Sequence, residues 1–259
     1  MEFISSLQNQ KIKDLVTLET KSRERRSRGV FVVEGRREIE RAAACGFEAV
    51  EVFCTDGDNV PSGISCPVYG VTGKVYGKIA YREGTEGIIA VIKEKRPLPE
   101  ELSLTADSLV LVLESVEKPG NLGAILRTAD AAGVDAVFIC DPLTDLYNPN
   151  LIRASLGAVF SVRTVCCSSD DAYNMIKATG LNVLTAQLQD SELYYDTDMT
   201  KGTALVFGTE DKGLTDFWRE RSDAKIRIPM SGLMDSLNVS VSAAILCFEA
   251  VRQRKSGKR

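Results

Sequence analysis

"SLVLVLESVEKPGNLGAILRTADAAGVDAVFIC", residues 108–140, decides the fold class. Its first seven residues are a nearly unbroken run of Val and Leu, which is how a strand buried on both faces reads. "NLGAILRTADAAG" (121–133) predicts a helix ending at Gly133, and "DAVFIC" (135–140) predicts the next strand. Strand, helix and strand in that order make a βαβ unit, whose two strands run parallel. The loop into the helix carries Pro119, Gly120 and Asn121. Gly120 and Gly123 let backbone approach a ligand closely, and the free N–H groups of a helix start favour negative charge. Arg127 falls about two turns into the helix, on the face away from Leu122 and Ile125.

The alternation extends in both directions. Downstream, a short helix is expected at 148–158, with Pro149 near its first turn. Strand "VFSVRTV" (159–165), helix "DDAYNMIKATG" (170–180) and strands "LNVLTA" (181–186) and "TALVFG" (203–208) follow. Helix "LTDFWRER" (214–221) and strand "AKIRIPM" (224–230) come next, and a helix closes the chain. In "DSLNVSVSAAILCFEAVRQRK" (235–255), the alternation from Leu237 to Ser242 reads as a short extended lead-in with Val239 and Val241 buried. Helical spacing takes over from about Ser240 to Ala243. Upstream, a helix at about 8–20, strands at 29–35, 48–54, 66–71 and 86–93, and helices at 36–46 and 74–81 form a smaller alternating α/β domain. "KEKRPLPEELSLTAD" (93–107) is charged, holds two prolines and lacks an apolar period, so domains are expected at 1–98 and 106–259. Strands rich in Val, Ile and Leu alternating with helices imply a mostly parallel sheet covered on both faces.

The chain has 259 residues and no histidine. That absence excludes Ser-His-Asp and Cys-His nucleophile systems, His-ligated zinc and a His general base. The seven cysteines show no C-x-x-C and no metal-like spacing, and with no signal-peptide core or membrane-length apolar run they read as reduced thiols of a cytoplasmic protein. Net charge is −4, yet "KSRERRSR" (21–28) holds five positive residues against one Glu, and "RQRKSGKR" (252–259) holds five against none. Such concentration is either a solvated helix face with a frayed tail or a nucleic-acid footprint.

Ligands of a parallel sheet sit on the loops that follow the strands. Three loops stand out: "ESVEKPGNLGAILRT" (114–128), "LVFGTEDKGLTDFW" (205–218) and "IRIPMSGLMDSLNVSVSAAI" (226–245). A dinucleotide fingerprint fits the first poorly, because G-N-L-G lacks the third glycine and Asp141 is only near the acidic position. Glu210, taken alone, can be a turn or capping residue.

Taken together, "KPGNLGAILRTADAAGVDAVFI", "LVFGTEDKGL" and "IRIPMSG…SLNVSVSAAI" resemble the three ordered motifs of the SpoU (TrmH-like) branch of the SPOUT RNA ribose 2′-O-methyltransferases. "LIRASLGAVFSV" also looks like the family, and residues 6–42 are similar to the small α/β substrate-binding domain (L30e-like) that precedes the catalytic domain in many members. The resemblance implies S-adenosylmethionine as cofactor, held in a deep trefoil knot, with no metal required, and RNA, ribosomal RNA first, as substrate. It also implies a homodimer formed through the methyltransferase domain. The positions that match cofactor contacts are Gly208, Ile228 and Leu237, with Thr185 and Ala186 ending a strand beside them. Asn121, Arg127, Glu210 and Asn238, with Ser240 adjacent, match the polar active-site set. In the family the matching arginine is assigned an activating role, sometimes as base. Because arginine is effectively always protonated, Arg127 is better suited to holding an RNA phosphate and stabilising a developing alkoxide, and the role of base stays open. Asn121 is expected to orient Arg127 or the ribose, and Glu210 to fix Arg127 or Asn238. Arg23, Arg25, Arg26, Arg28, Arg36 and Arg37 form the first candidate RNA footprint and residues 252–259 the second. One departure stands out: many relatives carry an acidic residue where this chain has Lys118 before Pro119. Transfer RNA as substrate and a silent RNA-binding protein with the same fold are the alternatives. A nucleotide-dependent oxidoreductase would instead bind NAD.

Overall fold

The computed structural model describes residues 1–81 and 86–256. The chain forms two compact units, Met1–Lys95 with Asp145–Ser161, and Arg96–Thr144 with Val162–Arg259.

The first unit is built on five strands: β1 (Glu2–Ile4), β2 (Val30–Glu34), β3 (Ala49–Cys54), β4 (Val68–Val71) and β5 (Ile88–Lys93), in the order β1-β4-β3-β5-β2. β4 runs parallel to β1 and β3, whereas β5 is antiparallel to β3 and β2, so this sheet is mixed. The expected first helix is Gln10–Thr20, started by Asn9, whose side chain accepts from the Lys11 N–H at 2.9 Å, and it buries Ile12, Leu15 and Leu18. The basic stretch makes its own short helix, Ser22–Arg28, stopped by Gly29 at φ 63°. Asp145–Ser161, although inside the span read as the second domain, packs in this unit, so a linear boundary at 98–106 does not describe the packing. Tyr147 stacks on Phe31 at 4.1 Å, and Phe160 meets Phe47 edge-on at 5.2 Å. That aromatic cluster explains why "VFSVRTV" is not one strand. Leu156 and Gly157, at φ 51° and 81°, turn the chain so that the short helix Ala158–Ser161 buries Val159 and Phe160, and extended structure begins only at Thr164.

The second unit holds seven strands: β6 (Leu109–Glu114), β7 (Ala136–Cys140), β8 (Thr164–Cys167), β9 (Asn182–Ala186), β10 (Glu192–Leu193), β11 (Thr203–Phe207) and β12 (Ala224–Arg227). Their order is β10-β12-β9-β11-β6-β7-β8 and every neighbouring pair is parallel. Central β6 and β11 are buried at every residue, which is why their sequences do not alternate. The helix after β6, Pro119–Ala132, has Pro at its first position and Gly133 at φ 68° just past its end, and packs against the C-terminal helix Val239–Ser256. Trp218 is fully buried and donates from Nε1 to Ser169 Oγ at 3.1 Å. Ser169 Oγ in turn donates to Asp141 Oδ2 at 2.7 Å, so the carboxylate that an oxidoreductase reading would need is already engaged.

The junction at 237–242 is helical from Val239, not an extended lead-in. Val239, Ala243, Leu246, Cys247 and Ala250 form its buried stripe at helical spacing, while Val241 is exposed. Asn238 caps the start, its Oδ1 accepting from the Ser240 N–H at 3.0 Å. Nor does the other end of this helix fray before Ser256: Arg254 donates to the carbonyls of Met199, Asp107, Ser108 and Lys201. The second basic stretch is therefore partly structural, and its last residues, 257–259, lie outside the described residues.

Candidate active site

A cavity of about 450 Å³ opens beyond the carboxyl ends of three adjacent strands, β12, β9 and β11. This is where a parallel sheet offers loops and helix starts to a ligand. Ala186, Gly208, Ile228 and Leu237 all line it. Thr185 does not; it is fully buried one residue earlier in β9, with its hydroxyl 3.5 Å from the Ala224 carbonyl oxygen. Alternation along the strand sends Thr185 into the sheet packing and leaves Ala186 at the rim.

Gly208 is dictated by close packing. Thr209 and Gly213 exchange backbone hydrogen bonds at 3.1 and 3.0 Å, folding the acidic loop into a tight hairpin over the end of β11. A Cβ on Gly208 would lie 2.2 Å from the carbonyl carbon of Gly213, so only glycine lets the loop close. The closed loop presents Glu210 to residues from both other motifs. Glu210 Oε1 accepts from Asn121 Nδ2 at 2.8 Å and from Asn238 Nδ2 at 2.6 Å. Asn238 Nδ2 also reaches Asn121 Oδ1 at 3.2 Å, and Asn238 Oδ1 accepts from Ser240 Oγ at 2.6 Å. Four of the five expected polar residues thus form one connected network, built from three loops distant in sequence.

Arg127 stands apart. It is exposed on the Pro119–Ala132 helix and, among the described residues, has no hydrogen-bond or ion-pair partner. Of the two partners expected for Glu210, it is Asn238 that bonds it, and Asn121 bonds Glu210 as well; among the described residues neither Asn121 nor Glu210 bonds Arg127. The cation on Glu210 is instead Lys118, whose Nζ pairs with Oε2. Lys118 first, and Asn121 after it, hold the Glu210 carboxyl below the usual carboxylate range, against a partial burial that pushes it up. In the sequence Lys118 stands out only as the residue before Pro119, and the partner that makes it a site residue lies 92 residues away.

Two further cavity residues went unread. Gln187 Oε1 and Arg219 Nε are buried without a hydrogen-bond partner among the described residues, and both residues line the cavity. Gln187 Nε2 donates to the Gln189 carbonyl at 2.9 Å, which fixes the amide so that only its oxygen is left to accept. A buried acceptor and a buried donor left open cost about 1–3 kcal/mol each unless something occupies them.

Residues 108–248 match the SpoU rRNA Methylase family. The chain belongs to that family. Residues 9–90 match the MRM3-like substrate binding domain. The chain is 34% identical over 252 residues to the 23S rRNA (guanosine(2553)-2′-O)-methyltransferase RlmP of Bacillus subtilis, covering 96% of this chain and 98% of the relative. Its fold superposes on a crystal structure of an RNA 2′-O ribose methyltransferase with a TM-score of 0.85 at 38% identity, covering 98% of this chain and 99% of that one. An AdoMet-bound rRNA methyltransferase from Sinorhizobium meliloti superposes with a TM-score of 0.91 at 27% identity, covering 97% of each chain.

In this SpoU-family chain the candidate RNA arginines divide. Arg23, Arg26, Arg28 and Arg37 are exposed. Arg28 also faces Asp14 at 3.5 Å, and Arg36 is paired with Glu40 at 2.9 Å. Arg25 is not a surface contact. It is 3% exposed, its Nε bonds Asp145 Oδ2 at 2.7 Å, and its Nη1 donates to the carbonyls of Leu18 and Glu19 at 2.6 and 3.0 Å. In a two-turn helix only part of a basic run can face outward, and Arg25 falls on the inner side.

Proposed function

We propose that the chain transfers a methyl group from S-adenosylmethionine to a ribose 2′-hydroxyl of ribosomal RNA. The observation that carries this reading is the meeting of Asn121, Glu210 and Asn238 beside the cavity, with Asn121 on the helix whose Arg127 is unpaired among the described residues. The relatives named above are rRNA and RNA 2′-O-methyltransferases, one of them AdoMet-bound, and they support the same assignment.

The cavity fits the cofactor. Its volume lies in the range of small-ligand sites. Gly208 brings backbone to its wall, Ile228, Leu237 and Leu246 supply apolar surface, and Gln187 Oε1 and Arg219 Nε stand ready to accept and to donate. When bound, S-adenosylmethionine supplies an electrophilic methyl group that brings its own positive charge. The protein's task is then largely to hold the ribose oxygen in line with it. Arg127 carries a fixed charge and a free planar fork of donors; it binds the adjoining phosphate and stabilises negative charge growing on the ribose oxygen. Glu210 locks the two asparagine amides, which orients Asn121, Asn238 and Ser240 before the RNA arrives.

Residues 1–98, with Asp145–Ser161 packed among them, serve as the RNA-binding domain, with Arg23, Arg26, Arg28 and Arg37 contacting phosphate, and the rest of residues 106–259 as the methyltransferase domain with its knot. Contacts of that kind set affinity and salt dependence, not sequence choice. The enzyme acts as a homodimer through the methyltransferase domain; exposed Val241 and Phe248 on the terminal helix, 46% and 49% accessible, support that surface. No helix among the described residues is long and apolar enough to cross a membrane, and we place the protein with its RNA in the cytoplasm. The test is a map of 2′-O-methyl sites in ribosomal and transfer RNA from cells with and without the protein. Loss of a single ribosomal site, restored by the wild-type chain and not by Arg127→Ala, is expected. An unchanged map, or loss confined to transfer RNA, overturns the assignment.

A further inference from the structure

We infer that Lys118 is a positioning residue for methyl transfer, acting through Glu210 on the two asparagines that frame the acceptor. This rests on the proposed function of the same site. The geometry is a short chain of contacts with one cation at its outer end. Lys118 Nζ occupies Glu210 Oε2, which leaves Oε1 to accept both amides, from Asn121 at 2.8 Å and from Asn238 at 2.6 Å. With each Nδ2 committed to Glu210, Asn238 Oδ1 is turned to the N–H and hydroxyl of Ser240. The Lys118 carbonyl also accepts from the N–H groups of Asn121 and Leu122 at 3.0 and 3.1 Å. The residue that neutralises Glu210 is thus the one from which the Arg127-bearing helix starts.

The other charged groups near Glu210 are Asp211 and Lys212 on its own loop, Asp235 on the third loop, and Arg219 and Arg227 across the cavity. Among the described residues none of them bonds the carboxylate. Asn121 and Asn238 cannot change charge, so Lys118 is the one ionic partner holding Glu210 ionised. Lys118 is 71% exposed while Glu210 is 27% exposed, so the pair is half in water and its effect is moderate.

The experiment compares wild type, Lys118→Ala, Lys118→Arg and Lys118→Glu in single-turnover methylation of ribosomal RNA across pH, with cofactor affinity measured separately by calorimetry. Lys118→Ala is expected to lower the rate by up to about fivefold, the range an exposed ion pair supports, with cofactor Kd and RNA KM unchanged. Its acidic limb moves to higher pH, because Glu210 without the lysine protonates earlier. Lys118→Arg restores both rate and limb, and Lys118→Glu is slower than Lys118→Ala. A readout independent of turnover is the pH titration of the Asn121 and Asn238 side-chain amide resonances, which follows Glu210 and shifts upward in Lys118→Ala. Unmoved amide titrations and an unmoved acidic limb overturn the inference, as does a raised RNA KM with unchanged rate, which marks Lys118 as a phosphate contact. A wild-type enzyme that methylates no RNA while the amide titrations shift as expected overturns the proposed function and leaves the Lys118–Glu210 coupling standing.

Discussion

Two glycines bracket β11, and they separate stability from cofactor binding. A Cβ at Gly202, before the strand, would lie 2.0 Å from the Ala106 carbonyl oxygen and 2.5 Å from Leu181 Cδ2. At Gly208, after the strand, it would lie 2.2 Å from both carbonyl atoms of Gly213 and 2.4 Å from Leu214 N. Non-bonded carbon atoms settle at about 3.5–4.0 Å, so each substitution to Ala forces backbone to retreat by more than about 1 Å. Overpacking of that kind costs about 1–3 kcal/mol, which for a chain of this size lowers Tm by about 2–4 °C per kcal/mol. The two variants differ in what retreats. Gly202→Ala displaces the loop before β6, whereas Gly208→Ala displaces the hairpin that carries Glu210 and forms one wall of the cavity. Differential scanning calorimetry should show both variants with a lowered Tm. Titration calorimetry with S-adenosylmethionine should show cofactor Kd unchanged in Gly202→Ala and raised at least about tenfold, or about 1.4 kcal/mol, in Gly208→Ala. Equal cofactor affinity in the two variants would refute the placement of the cofactor in this cavity.

Four further outcomes are expected. Arg127→Ala should slow methyl transfer by about 10²–10³-fold, the loss seen when a preorganised charge-stabilising donor is removed, while calorimetric cofactor affinity stays unchanged; full activity in that variant sinks the mechanism. Arg25→Ala leaves Asp145 unpaired in a buried setting, where side-chain exposures are 4% and 9%, so it should cost about 3–5 kcal/mol in urea unfolding. Arg37→Ala, by contrast, should leave stability alone and reduce the salt slope of RNA binding by about one; equal effects of these two variants on the slope would contradict the division. Burial, with Glu34 adding to it, pushes the Glu19 carboxyl from 4.5 up to about 8. The folded state then keeps a proton that the unfolded chain releases, so stability falls as pH rises from about 4.5 to about 8 and levels off above. Glu19→Gln should flatten that fall in urea midpoints taken across the same range, and an unchanged slope would show that Glu19 is ionised in the folded chain.

Element types in the second unit were readable because its strands are buried on both faces and its helices carry clear punctuation. Pro119 and Gly133 bound one helix, and unbroken apolar runs mark β6, β7 and β11. The misreadings lie where local pattern is short. Six residues of alternation at 237–242 fit a strand or the first turns of a helix equally well, and the Asn238 cap with the stripe Val239, Ala243 and Leu246 decides for helix. "VFSVRTV" is rich in strand formers, yet Phe160 is drawn into an aromatic cluster with Phe31, Phe47 and Tyr147 that no local pattern announces.

By itself the sequence determined the α/β class, the three loops that converge on the site, and the polar residue types within them, because the chemistry of a close-approach glycine or a capping asparagine is local. Only the tertiary structure decided which of those residues touch. Lys118 and not Arg127 on Glu210, Arg25 turned inward to Asp145, and Thr185 withdrawn into the sheet all follow from strand order and helix facing. An ion pair across 92 residues leaves no periodic trace in the chain; it exists because β11 lies beside β6, with their carboxyl ends on one side of a parallel sheet.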